Sequence, residues 1–77
     1  MNSSEITILA ALGELTKEAR EKAGITQMQL ASIAKLTTDI QISNWERGLA
    51  SLRLVPFLRI LQFLEIPFSE VKKILRR

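Results

Sequence analysis

Apolar residues recur along this chain at steps of three and four, the period of helices. Ile8, Leu12, Leu15, Ala19 and Ala23 form one stripe on a first helix, which Ser3 or Ser4 is placed to cap and Gly24 to end. Ile6 and Leu9 widen the stripe at its start, either as extra core or where the chain reaches beyond the core onto a partner. Glu14, Lys17, Glu18, Glu21 and Lys22 lie mostly off it and read as a solvated face. A second helix over about 27–34 turns Leu30, Ala31, Ile33 and Ala34 inward and leaves Gln27, Gln29 and Ser32 outside; residues 35–37 make a turn.

The next two starts are marked by the same device. Thr26 is followed three residues later by Gln29, and Thr38 by Gln41, the spacing of a capping box in which hydroxyl and amide satisfy each other's backbone N–H groups. Ile25 is placed to staple onto Leu30. From Thr38, at about 100° per residue, Ile42 and Trp45 share one side with Glu46 flanking it. Ile40, Ser43, Asn44 and Arg47 point the opposite way. An isoleucine on that face implies a surface that something covers. Gly48 ends this third helix. Two capped starts this close together have the spacing of a helix-turn-helix.

A fourth helix over about 53–64 carries Leu54, Phe57, Leu58, Leu61 and Leu64 on a helical repeat, with Ile60 and Phe63 to the side and facing a partner. Pro56 belongs in the first turn and so sets the start near Arg53. After Glu65 and Ile66, Pro67 at a first helical position opens a fifth helix. Phe68, Val71, Ile74 and Leu75 lie inward or at an interface, and Lys72, Lys73, Arg76 and Arg77 outward near the C-terminus, where they suit the macrodipole. The fold class is all-α, a compact five-helix domain without strands.

Composition narrows the function. Seventy-seven residues make one domain, 1–77, with a small core. A hydrophobic fraction of 47% beside 25% charged residues argues against disorder. The absence of cysteine and histidine removes disulfides, common zinc sites and imidazole chemistry, so neither an enzyme nor a cofactor is expected. The apolar run at 54–64 is broken by Pro56, Arg59 and Gln62 and is too short to span a bilayer. With no basic signal-peptide start, a cytoplasmic location and no membrane partner are expected. A net charge of +3 favours a polyanion, although much of it crowds into 72–77.

Gly24-Ile25-Thr26-Gln27, the Leu30-Ala31 pair and Trp45-Glu46-Arg47-Gly48 together resemble the lambda-repressor and Cro-like (XRE) family of helix-turn-helix DNA-binding domains. The likeness runs from residue 12 to about 71, taken as the core, with 1–8 an N-terminal extension or helix start and 72–77 a basic end. It implies that Gln27 bonds a DNA phosphate and that Arg20 and Glu46 tie the first helix to the third. It also implies that Ile40, Ser43 and Asn44 face bases, with Thr38 and Asp39 at the start of that helix. Arg47, Ser51 and Arg53 would follow the backbone. Asn is suited to adenine and an aliphatic group to a thymine methyl. Double-stranded DNA is then the partner and repression at a promoter the usual consequence.

The chain departs from the family pattern in several places. It has one residue more between Ala31 and Ile42, so either the turn is longer or the third helix is irregular. Lys35 and Glu65 stand where glycines are common, and Asp39 brings a carboxylate that repels phosphate. If Thr37 is the cap, the reading face rotates by one position.

Two copies on an inverted repeat would double the contacts of so small a domain, so a homodimer is expected. Phe63, Phe68, Ile74 and Leu75 are its candidate interface, with packing of the monomer's own core as the competing use. A charge at Ile74 is expected to weaken the dimer while the monomer stays folded. Asp39, Ile40 and the lack of Lys or Arg on the third helix before Arg47 fit a second reading, a protein-interaction module. An antitoxin-type protein that binds a toxin lies between the two.

Overall fold

The structure, a computed structural model, describes residues 2–76; Arg77, expected on the outer face of the last helix, lies outside them. Five helices follow one another: α1 (Ser3–Ala23), α2 (Gln27–Ile33), α3 (Asp39–Glu46), α4 (Leu54–Phe63) and α5 (Phe68–Leu75).

The cap of α1 is Asn2 and not a serine: its side chain accepts from the Glu5 N–H at 2.9 Å, and Ser3 is already helical. Gly24 ends the helix at φ 72, its N–H bonded to the Arg20 and Glu21 carbonyls. The inward face differs from the expected stripe. Leu9, Gly13 and Thr16 are the buried residues, Leu12, Leu15 and Ala19 are half-buried, and Ala23 is exposed. The reason is that α1 meets neighbours on two adjacent lines. Leu12, Leu15 and Ala19 pack on Leu61, Ile66 and Val71. The line of Gly13 and Thr16 faces α3, and neither residue registers as apolar.

At that second line the helices approach closely. A Cβ at Gly13 would overlap the Trp45 carbonyl oxygen and lie 3.0 Å from that of Glu46. A Cβ at Gly48, which has φ +73, would lie 3.0 Å from the Ala10 Cα. The Trp45 indole N–H donates to the Thr16 hydroxyl at 2.9 Å, and that hydroxyl donates to the Leu12 carbonyl at 3.0 Å. Trp45 also meets Phe57 edge to face, centroids 5.4 Å apart.

The helix-turn-helix half of the core is Leu30, Ala31, Ala34, Ile42 and Ile60, with Ile25 and Leu36 packed against it. Ile60 is fully buried, which corrects its expected partner-facing position. α4 lies between α2 and α5, so Ile60 and Leu61 point inward while Leu54 and Leu58 are exposed. Pro56 sits in the first turn of α4, with Arg53 as the cap. Pro67 is the cap of α5, one position earlier than expected. Of the apolar residues of α5, Val71 and Ile74 are buried and Phe68 and Leu75 exposed.

The connection from α2 to α3 spans 34–38, and α3 runs uninterrupted from Asp39. The additional residue is therefore taken up in the turn. Lys35 and Glu65 adopt φ 59 and φ 55, the left-handed conformation that glycine enters without steric cost.

Candidate nucleic-acid interface

Side-chain hydrogen bonds fix α3 at both ends. At its start Gln41 Oε1 accepts from the Thr38 N–H at 3.3 Å and from the Thr37 N–H and hydroxyl at 3.1 Å each. Thr38 is the cap residue, although its own hydroxyl makes no cap bond. The outward face of α3 is accordingly the one counted from Thr38.

At its end the Glu46 carboxylate is buried and fully engaged. Oε2 accepts from Arg20 Nε at 2.7 Å, and Oε1 accepts from Arg20 at 3.1 Å and from Gln27 Nε2 at 3.0 Å. The same guanidinium donates to the Ile25 carbonyl at 2.9 Å. The hydrogen bonds to Glu46 hold the Arg20 pKa above its ordinary value against the opposing effect of burial. Arg20 thus ties α1 to α3 and to the entry of α2. Gln27, expected on a phosphate, has its side-chain amide turned onto Glu46 and belongs to this tie.

Ile42, Trp45 and Glu46 being buried, the opposite side of α3 is free. Ile40 is 63% exposed there, Arg47 is exposed, and Ser43 and Asn44 are half-buried. Arg47 donates to Asn44 Oδ1 at 2.9 Å, which orients the amide and leaves its N–H₂ without a partner among the described residues. Asp39 is half-buried in the first turn, beside Met28 and Thr38 around a shallow depression. Ser51 and Arg53 are exposed in the loop ahead of α4. They line a concavity together with Gln41 and Asn44 of α3 and Lys35 of the turn.

The structure thus brings Ile40, Ser43, Asn44 and Arg47 onto one face, with Ser51 and Arg53 beside it. Three residues of this surface were not anticipated as such. Gln41 reads in sequence only as a cap, Lys35 only as a substitute for glycine, and Met28 as an unremarked helical position; it is 65% exposed next to Asp39. A count of about 100° per residue shows which side of one helix a residue takes, but it does not show which turns and loops fold up alongside.

Of the four residues expected at a dimer interface, Phe63, Phe68 and Leu75 are exposed. Ile74 is only 7% exposed and packs within the monomer, so the competing explanation holds for it. No helix among the described residues is long and apolar enough to cross a membrane.

Comparison with known proteins agrees with this geometry. The family model for the helix-turn-helix matches residues 17–71, well over half of the chain, including the Arg20, Gln27 and Glu46 tie and all of α3. Residues 3–16, the first part of α1, precede the match. No curated protein matches the chain. An all-helical fold, a capped recognition helix with a free outer face and this match converge: the chain belongs to the lambda-repressor and Cro-like (XRE) family of helix-turn-helix DNA-binding domains.

Proposed function

We propose that the protein is a sequence-specific transcriptional regulator, acting as a repressor by occupying an inverted-repeat operator as a homodimer in the cytoplasm. The observation that carries this reading is the outer face of α3. Its apolar Ile40 and half-buried Asn44 are held in register by a helix bonded at both ends, next to the cationic Arg47 and Arg53. Bases are read by α3, Ile40 on a thymine methyl and Asn44 on an adenine edge, while Arg47, Ser51 and Arg53 set register on phosphates. The exposed Phe63, Phe68 and Leu75 supply apolar surface for the second copy.

Titration of a duplex of mixed sequence at two salt concentrations tests the reading. Affinity that falls steeply with salt is expected of phosphate-driven binding. Absence of binding by the folded protein, together with salt-insensitive capture of a protein such as a toxin, would favour an interaction module built on Ile40 and Met28.

A further inference from the structure

Beside α3 lies a concavity of about 510 Å³ whose polar walls come from three segments, with Pro56 of α4 closing one side. Lys35 and Thr37 belong to the turn, Gln41 and Asn44 to α3, and Ser51 and Arg53 to the loop ahead of α4. Two cations and four neutral hydrogen-bonding side chains line it, and among the described residues no carboxylate does. Asp39, the acid of this region, lines the adjoining depression, which shares Leu36 and Thr37 with this one. The amides are also poled for an anion. Gln41 Oε1 is taken by Thr37 and Thr38, and Asn44 Oδ1 by Arg47, so the ends without a partner are the N–H₂ donors.

Lys35 supplies the second line of argument. It is exposed and held at φ 59, where a side chain costs backbone energy that glycine avoids. An observed backbone outlier whose side chain adds nothing to the core points to a use for that side chain. Its charge is the property a glycine would lack.

We propose that this concavity is a phosphate cradle, in which Lys35 and Arg53 supply charge and Gln41 and Ser51 supply hydrogen bonds to one phosphodiester of a DNA backbone lying along α3, while Asn44 at its rim keeps its place toward the bases. The turn of the helix-turn-helix is then itself a contact. This inference rests on the DNA-binding reading above and adds Lys35 and Gln41 to it.

Lys35→Gly separates backbone from charge. In this variant thermal stability is expected to stay level or rise, because the strained residue is relieved, while binding to a mixed-sequence duplex weakens. The slope of log affinity against log salt should shrink by about 1, so that between about 50 and 200 mM salt the parent loses roughly 3.5-fold more affinity than the variant. Glu65→Gly relieves the other left-handed non-glycine residue among those described, at φ 55, and should leave the slope unchanged.

A Lys35→Gly protein that binds with the parent's salt slope overturns the cradle, whereas a folded parent that binds no duplex overturns the DNA reading on which it rests.

Discussion

Single residues decide how α3 is presented. Gly13 exists because the end of α3 lies against α1, and Gly13→Ala would push a methyl group into the Trp45 carbonyl. Its expected cost is about 1–3 kcal/mol of stability, the range for overpacking, measured by urea unfolding. Arg20→Ala would strip the chief partner from a carboxylate whose side chain is 2% exposed. A loss near the low end of about 3–5 kcal/mol is expected, since Gln27 remains bonded to Glu46. Asn44→Ala should leave stability unchanged, because the residue lies on the free face. It should cost about 1–3 kcal/mol of discrimination at one base position, read from competition between single-base variants of the best-bound duplex.

The elements themselves were legible in sequence because their ends carry local chemistry. Thr26 with Gln29 and Thr38 with Gln41 mark boundaries through bonds made within a few residues, Gly24 and Gly48 through a positive φ, and Pro56 through its missing N–H. Which side of each element faces inward was harder to read. α1 uses Gly13 and Thr16 for close approach and a buried hydrogen bond, and neither need registers as hydrophobicity. α4 is apolar on most of its circumference, so the pattern does not single out Ile60 over Leu58; only the positions of α2 and α5 do. The same ambiguity affected α5, where Ile74 and Leu75 are adjacent and only one is buried. Ile74→Glu is accordingly expected to destabilise the monomer by about 2–5 kcal/mol. Leu75→Glu should leave the thermal midpoint of the monomer near that of the parent and lower the self-association seen by sedimentation. A Leu75→Glu protein that associates like the parent would move the interface to other exposed apolar residues.

At the scale of the molecule, the longest principal extent, 30 Å, is shorter than one turn of a DNA duplex, roughly 34 Å. The candidate site was legible as a face of α3 because a helical count from Thr38 places Ile40, Ser43, Asn44 and Arg47 together. The part contributed by folding was not. Gln27 turns inward to Glu46, and Lys35 and Arg53, eighteen positions apart in the chain, come to line one concavity. The central claim is that this assembled face reads sequence. Selection of bound fragments from a pool of random duplex DNA tests it most directly. Enrichment of an inverted repeat, with half-sites about one helical turn apart and lost in Ile40→Asp, is the predicted result. A pool that stays unenriched over a demonstrably folded protein would contradict the claim.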